Sequence, residues 1–330
     1  MTTDGTADGT KPADRRIVLD DAGSADNRVR PFRIEGMDVR GRAVRLGTAV
    51  DAILSAHAYA PPLAELTGEM VALAALLGSM LKSEGVVTLQ ARGGGGAPVD
   101  FLVADCATPG DLRGYAEHDA ARIAALPADA PLEALLGTGG HLAITLDQGR
   151  DSERYQGIVE LGGDSLAACA MDYFARSEQT PTAVALSAGR DPVSGHWRAG
   201  GIMVQHLATG GGTARPVGEE TQSELESWRR ATILMNSVRP EELRDPALDL
   251  DSLLFRLFNE DGVRVFAPLD LVHRCRCSRA RLKSVLQSHD RTALDDMIED
   301  GFIYATCRFC SATYSFEVET LFSVKTSGCP

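Results

Sequence analysis

HRCRC at residues 273–277 and TCRFC at residues 306–310 place four cysteines in a C-x-C…C-x-x-C pattern. Zn²⁺ prefers four soft ligands in a tetrahedron, and two close cysteine pairs supply these without a water ligand. A closed site of this kind stabilises structure and offers no position for a substrate. The C-x-C pair is tighter than an ordinary zinc knuckle, and crowded thiolates are prone to oxidation once the metal is lost. The pattern predicts one Zn²⁺ per chain, held by Cys275, Cys277, Cys307 and Cys310.

The composition is that of an acidic globular protein. The 330 residues carry a net charge of −13, and 44% of them are apolar. Nucleic-acid binding needs clustered Lys and Arg, so the overall charge argues against DNA or RNA as a partner. The longest apolar stretch, residues 63–81, contains Glu65 and Glu69 and is expected to be a core helix, not a membrane span. Seven cysteines without a recognisable export signal indicate a reducing, cytoplasmic location.

The sequence up to residue 238 indicates a tail followed by an α+β domain. Residues 1–31 are rich in Thr, Asp, Gly and Ala, and we expect a disordered tail there. After Pro61 and Pro62, apolar residues at spacings of three and four predict a helix that Gly85 ends. Strand-like runs cover residues 86–90, 99–104, 142–146, 157–161, 182–187 and 201–207. Residues 32–238 should therefore form a mainly antiparallel β-sheet packed with helices.

The composition changes again over residues 239–270, which combine prolines and acidic residues with a dense apolar cluster. The cluster consists of Leu253, Leu254, Phe255, Leu257 and Phe258. One interpretation is a permanently folded linker helix. The other is a metastable helical linker whose docking depends on the neighbouring cysteine-bearing domain, because segments of low stability often drive switches.

Residues 271–330 predict a small zinc-binding domain. Ser278 can cap a helix over residues 279–287, and residues 302–306 and 313–316 should form a hairpin around the second cysteine pair. So few apolar groups cannot build a large core, so the metal would supply much of the folding free energy. Five arginines flank the cysteines and would offset the negative charge of a four-thiolate centre and lower the thiol pKa values: Arg274, Arg276, Arg279, Arg281 and Arg308.

No sequence signal for an enzyme was found. The glycine runs are not followed by Gly-Lys-Ser or Gly-Lys-Thr, and Gly-x-Ser-x-Gly and His-Glu-x-x-His patterns are missing from the sequence. Two alternatives stay open at this point. The local arginines are compatible with a zinc-ribbon nucleic-acid binder, and Cys307-x-x-Cys310 is compatible with a thiol oxidoreductase.

The order of several short motifs, together with the cysteine spacing, resembles the heat shock protein 33 family, the redox-regulated holdase chaperones of the bacterial cytosol. The motifs are Leu81-Lys82 with Thr88-Leu89-Gln90, Leu112-Arg113-Gly114, Glu153-Arg154-Tyr155-Gln156-Gly157, Tyr173-Phe174 with Ser177-Glu178-Gln179-Thr180-Pro181-Thr182, and C-x-C-x29-C-x-x-C. The resemblance covers about residues 32–322. It implies an N-terminal substrate-binding and dimerisation domain, a flexible linker and a C-terminal zinc domain that switches activity under oxidative stress.

The resemblance also implies a mechanism for the four cysteines. They would hold zinc in a reduced, inactive state, and oxidation would form Cys275–Cys277 and Cys307–Cys310 disulfides with release of the metal. The linker would then lose its docking surface, and apolar groups such as Leu253, Leu254, Phe255, Leu257 and Phe258 would become available to unfolded client proteins. Further implications are homodimerisation on activation, ATP-independent client binding and transfer of clients to an ATP-dependent foldase system. The acidic tail and Cys329 depart from the family pattern.

Overall fold

The computed structural model describes residues 26–149, 154–206 and 222–322. Cys329 and nearly all of the expected tail lie outside these ranges. The helices are α1 Thr48–Ser55, α2 Pro61–Gly78, α3 Ala120–Ala124, α4 Leu132–Leu136, α5 Leu166–Tyr173, α6 Gln222–Asn236, α7 Pro240–Arg244, α8 Leu250–Phe258, α9 Arg279–Gln287 and α10 Val318–Phe322. The strands are β1 Arg28–Ile34, β2 Val39–Leu46, β3 Val86–Arg92, β4 Val99–Ala107, β5 Asp111–His118, β6 His141–Asp147, β7 Tyr155–Glu160, β8 Thr182–Arg190, β9 Trp197–His206, β10 Val263–Val265, β11 Leu269–Asp270, β12 Val272–His273, β13 Ile298–Glu299, β14 Phe302–Thr306 and β15 Thr313–Glu317.

These strands form three sheets. Sheet 1 has the order β10-β1-β2-β9-β8, and β11 also pairs with β1. Sheet 2 has the order β12-β5-β4-β3-β6-β7, and sheet 3 has the order β13-β14-β15. Among the described strands the pairing is antiparallel except where β12 runs parallel to β5. The predicted α+β class with mainly antiparallel sheets is confirmed.

Helix α2 lies between sheets 1 and 2 and forms the centre of the main core. Its side chains from Leu63 to Leu77 are buried almost all round, because both faces of the helix pack against sheets. The helix ends at Gly78, before the predicted stop at Gly85. A Cβ atom at Gly78 would lie 2.4 Å from the sulfur of Cys106, so the close approach of helix and β4 requires glycine here. Cys106 and Cys169 are buried, as expected of small apolar side chains.

The opposite face of sheet 1 is covered by α6, α7 and α8. Four of the linker side chains, Leu253, Leu254, Leu257 and Phe258, are buried there in a second apolar cluster, whereas Phe255 is 62% exposed. Phe258 stacks on Phe32 of β1 with 5.7 Å between the ring centroids. The linker helix therefore hides a continuous apolar face of sheet 1.

Two of the expectations for the ends of the main domain are corrected. Residues 28–31 were assigned to the tail, but β1 begins at Arg28 and pairs with β2 along its whole length. Its arginines and Pro31 weaken the local strand signal, and pairing with β2 supplies what the local sequence lacks. The linker over residues 239–270 is only partly helical, because after α8 it forms β10 and β11 on the edge of β1.

Residues 271–322, which we call the lobe, follow the sequence expectation closely. Ser278 accepts a hydrogen bond from the Arg281 amide at the start of α9, and β14 and β15 form the predicted hairpin. The lobe has a small apolar cluster of its own, which consists of Leu286, Leu294, Ile303, Phe316, Val318 and Leu321. A cluster of this size is a weak core without additional cross-links.

Candidate metal centre

An irregular segment and a tight turn bring the four cysteines together. Cys275 and Cys277 lie between β12 and α9, and Cys307 and Cys310 lie in the turn between β14 and β15. That turn is closed by the Ser311 amide, which donates to the Cys307 carbonyl, and by the Cys307 amide, which donates to the Ala312 carbonyl. Ser311 has a φ of 55°, a left-handed conformation that reverses the chain directly after the second cysteine.

The sulfur positions suit a tetrahedral metal. All four Sγ atoms lie within 4.8 Å of one another. The Cys275 and Cys307 sulfurs are 3.6 Å apart, and those of Cys277 and Cys310 are 3.5 Å apart. A tetrahedral Zn–S distance of about 2.3 Å requires sulfurs roughly 3.8 Å apart, so the four thiols fit zinc with little adjustment. The all-sulfur donor set favours zinc over hard cations such as Mg²⁺ and Ca²⁺.

Hydrogen bonds stabilise negative charge at this centre. A hydrogen bond between the thiols of Cys275 and Cys307, together with nearby backbone amides, lowers the pKa of Cys307. The same hydrogen bond raises the pKa of Cys275. The Tyr314 hydroxyl lies 3.3 Å from the Cys277 sulfur, and this contact raises the pKa of the tyrosine, which keeps it a donor. Burial raises the pKa of Cys310 to about 11, so Cys307 favours the thiolate whereas Cys275 and Cys310 favour the thiol, and a metal bound here would displace their protons.

The lobe is docked on one face of sheet 2. On β5, Leu112, Gly114 and Ala116 point to the core, and the alternate residues point to the lobe. We define the docking face as Asp105 of β4 together with Asp111, Arg113, Tyr115 and Glu117 of β5. Backbone hydrogen bonds also hold the lobe on sheet 2, because the Arg274 amide donates to the Leu112 carbonyl at 3.0 Å beside the β12–β5 pairing.

Three arginines that flank the cysteines form ion pairs with the docking face. Arg274 pairs with Asp111 at 2.9 Å, Arg276 pairs with Asp105, and Arg308 pairs with Glu117. Asp105 also accepts a hydrogen bond from Arg113 at 2.6 Å, so this buried carboxylate holds two guanidinium groups. The sequence predicted that these arginines act on the thiols. The structure instead directs these three to carboxylates of the other domain, and hydrogen bonding and burial govern the cysteine pKa values.

Phe309, between the second pair of cysteines, is the apolar contact of the lobe with the docking face. The guanidinium carbon of Arg113 lies 4.0 Å from the centre of its ring, and the Tyr115 ring is 6.0 Å away. The backbone carbonyl of Phe309 is 3.4 Å from Nε2 of His57, and the Ser311 hydroxyl donates to the Ala56 carbonyl at 2.8 Å. The cysteine turn is thus held on both sides by the main domain.

Sequence reasoning found the four cysteines but missed Asp105, His57 and Tyr314. The alternation of polar and apolar residues in Asp111–His118 was a strand signal that could have revealed β5. Nothing in that alternation shows that the polar face meets another domain instead of water. Four of the five candidate linker side chains lie in the second apolar cluster on sheet 1, and the fifth, Phe255, is exposed on the same helix, so the structure does not bring them together with the four cysteines.

The class of protein is an α+β protein with a small docked C-terminal lobe, in which four clustered cysteines could hold a metal ion. Its family follows from comparison with known proteins. The family model described as "Hsp33 protein" matches residues 27–317. The chain is 44% identical to the 33 kDa chaperonin of Caulobacter vibrioides over 307 residues. This alignment covers 91% of this chain and 98% of the relative. It is 39% identical over 288 residues to the 33 kDa chaperonin of Ectopseudomonas mendocina, which covers 87% of this chain and 90% of the relative. This chain belongs to the Hsp33 family.

A solved structure supports the fold. The crystal structure of the 33 kDa chaperonin, heat shock protein 33 homolog, from Thermotoga maritima superposes with a TM-score of 0.72 at 23% identity. The superposition covers 89% of this chain and 96% of that chain. None of the helices in the described ranges has both the length and the apolar composition needed to cross a membrane.

Proposed function

We propose that this protein is a redox-regulated, ATP-independent holdase chaperone. The observation that carries the proposal is the continuous run of residues 263–277. It leaves the buried helix α8, pairs with β1 as β10 and β11, pairs with β5 as β12, and then enters the first cysteine pair. Helix α8, which covers the apolar face of sheet 1, and the first cysteine pair are therefore connected by one short docked segment.

In the proposed reduced state, Cys275, Cys277, Cys307 and Cys310 hold one zinc ion. Bound zinc supplies a cross-link that compensates for the small core of the lobe. The lobe then keeps Arg274, Arg276 and Arg308 in place on the docking face. With the lobe docked, β12 stays on β5 and α8 stays on sheet 1, so the apolar face is not available to clients.

Oxidation would convert the four thiolates into the Cys275–Cys277 and Cys307–Cys310 disulfides. As each disulfide forms, its two thiolates give two electrons to an oxidant such as hypochlorous acid, which is reduced to chloride and water, and disulfide sulfurs no longer hold the ion. All four sulfurs lie within 4.8 Å of one another, and a disulfide bond is about 2 Å long, so formation of the expected pairs requires both cysteine segments to rearrange. Rearrangement of these segments would loosen the lobe, release the linker and expose the apolar face of sheet 1.

The proposed partners follow from this mechanism. Unfolded client proteins would bind the exposed apolar groups, including the linker side chains Leu253, Leu254, Phe255, Leu257 and Phe258. We further propose that the activated form is a homodimer in the cytoplasm and that clients pass to an ATP-dependent foldase system. Binding is stoichiometric, without catalytic turnover.

The test compares zinc release with chaperone activity. A chromogenic chelator measures zinc while light scattering follows aggregation of a denatured client enzyme. We expect the reduced protein to contain one zinc per chain and to leave aggregation unchanged, and the oxidised protein to have lost zinc and to suppress aggregation at about one chain per client. Equal protection by the reduced, zinc-loaded protein would contradict the proposal.

The two alternatives are less well supported by the geometry. Arg274, Arg276 and Arg308, which favoured a nucleic-acid binder, are paired with carboxylates of the docking face. Salt-dependent binding of RNA or DNA by the reduced protein would restore that function. A thiol oxidoreductase would reduce a disulfide substrate at catalytic amounts of protein, whereas a switch requires one protein for each event.

A further inference from the structure

The edge of β1 is closed by the linker itself. Strand β10 pairs antiparallel with β1 in the register Phe32 with Val265, Arg33 with Arg264, and Ile34 with Val263. The Phe266 amide donates to the Pro31 carbonyl and the Glu35 amide donates to the Gly262 carbonyl, both at 2.9 Å. Hydrogen-bonded pairs alternate in an antiparallel ladder, so the Arg33 amide and carbonyl also face β10.

Strand β10 is a weak occupant of this edge. It is only three residues long, and Val265 and the following Phe266 are 38% and 45% exposed. Arg264 lies directly opposite Arg33, and like charges at opposed positions destabilise a strand pair. Each arginine has an exposed carboxylate nearby, Asp38 at 2.9 Å from Arg33 and Glu35 at 3.7 Å from Arg264, and exposed ion pairs of this kind contribute little.

Release of β10 would leave an unpaired strand edge beside an apolar face. Alternate positions along β10 divide between the two faces of sheet 1. Val263 and Val265 lie on the same face as Ile34 and Phe32, next to the cluster that α8 covers, and Arg264 lies on the opposite face beside Arg33. Pro31 has no amide hydrogen, so the edge offers the Arg33 and Glu35 amides with the Pro31 and Arg33 carbonyls.

We infer that an extended client segment with alternating apolar side chains pairs antiparallel with β1 in place of β10. This inference rests on the proposed chaperone function and specifies how the client is held. Main-chain hydrogen bonds to β1 are independent of client sequence, which suits a protein that binds many unfolded chains. Two apolar side chains occupy the positions of Val263 and Val265, and an acidic residue between them meets Arg33 where the linker presents Arg264.

Hydrogen exchange at single amides tests this pairing. In the oxidised protein alone, the Arg33 and Glu35 amides should exchange freely, and bound client should slow both at least tenfold. The Phe32 and Ile34 amides are the internal control, because their ladder partner is β2 and not the edge. Suppressed aggregation with unprotected Arg33 and Glu35 amides would overturn the inference alone, whereas absence of suppression would overturn the proposed function. Protection in the client-free oxidised protein that grows with protein concentration would assign the edge to a second copy of this chain.

Short peptides provide a matched control. The probe is a synthetic peptide of residues 262–267, Gly-Val-Arg-Val-Phe-Ala. N-methylation of its Arg264 amide removes a donor to β1, whereas N-methylation of its Val265 amide alters a group that faces away. We expect the first change to weaken competition with client at least tenfold and the second to have little effect. Replacing the arginine of the peptide by glutamate should strengthen competition several-fold. Equal competition by the two methylated peptides would overturn strand pairing.

Discussion

Asp105 of β4 and Arg276, the residue between Cys275 and Cys277, form an ion pair that joins the main domain to the metal centre. The Asp105 side chain is only 3% exposed and also holds Arg113. The Asp105 carboxylate couples docking of the lobe to the position of the first cysteine pair, because movement of these cysteines would break the ion pair between Arg276 and Asp105. Conversely, docking of the lobe favours the arrangement of the cysteines that binds metal.

Replacing Asp105 by Asn should make the switch more sensitive. The neutral side chain leaves Arg276 and Arg113 without a counter-charge, and because the Arg276 side chain is 34% exposed, the cost is that of a lost charged hydrogen bond, about 1.5–3 kcal/mol. We expect zinc release and chaperone activity at a lower oxidant concentration, measured by chelator absorbance and light scattering. Asp172→Asn is the control, because Asp172 pairs with the exposed Arg176 at 2.7 Å, away from the lobe. An unchanged oxidant threshold in Asp105→Asn would show that this ion pair does not couple the two domains.

Replacing Cys307 by Ser should weaken zinc retention and give partial chaperone activity without oxidant. Three thiolates and a hydroxyl form a poorer zinc site than four thiolates. Zinc content and the chelator concentration needed for half-release are the measurements. Cys329→Ser should keep one zinc per chain, because Cys329 is not among the predicted ligands. A Cys307→Ser variant that retains zinc as tightly as the parent would contradict the ligand assignment.

Replacing Phe258 by Ala should separate the linker from the metal centre. Phe258 is fully buried against Phe32, and a Phe→Ala change in a core costs about 3–5 kcal/mol. We expect the variant to suppress client aggregation while it still holds zinc. Phe255→Ala on the same helix removes an exposed ring and should leave the zinc-loaded protein inactive. If Phe258→Ala stays inactive until zinc is lost, undocking of α8 is not sufficient for activation.

Glu69 on α2 should make stability depend on pH. Burial, with a contribution from nearby Glu65, raises the pKa of Glu69 to about 7 from 4.5. The folded state therefore binds the proton of the Glu69 carboxyl more tightly than the unfolded state does. The stability that this proton contributes is complete below pH 4.5 and is lost as the pH rises through 7. Glu69→Gln should raise the free energy of unfolding by about 3 kcal/mol at pH 8 relative to the parent and by little at pH 4.5. Chemical denaturation at the two pH values measures the difference, with the exposed Glu84→Gln as control, and an equal gain at both would refute the assignment.

Part of this architecture could be predicted from local sequence, because the signals lie within a few residues. The cysteine spacing predicted four ligands, the apolar periodicity after Pro61 predicted α2, and Ser278 predicted the start of α9. Strand β1 was missed at its start and β5 was missed entirely. The arginines and Pro31 of β1 weaken its local strand signal, and pairing with β2 determines its conformation. Strand β5 was missed although its polar–apolar alternation is a local strand signal, and pairing with β4 fixes its register.

By itself, the sequence determined which four cysteines are the predicted ligands of the candidate metal centre and the apolar character of the linker, because each depends on residue types at fixed spacings. Only the tertiary structure decided which groups those elements meet. It paired Arg276 with Asp105 across 171 residues, turned Phe258 inward and Phe255 outward, and placed Arg264 opposite Arg33. The physical reason is that charge pairing, burial and strand register depend on distances between segments far apart in the chain, and a local pattern contains no information about those distances.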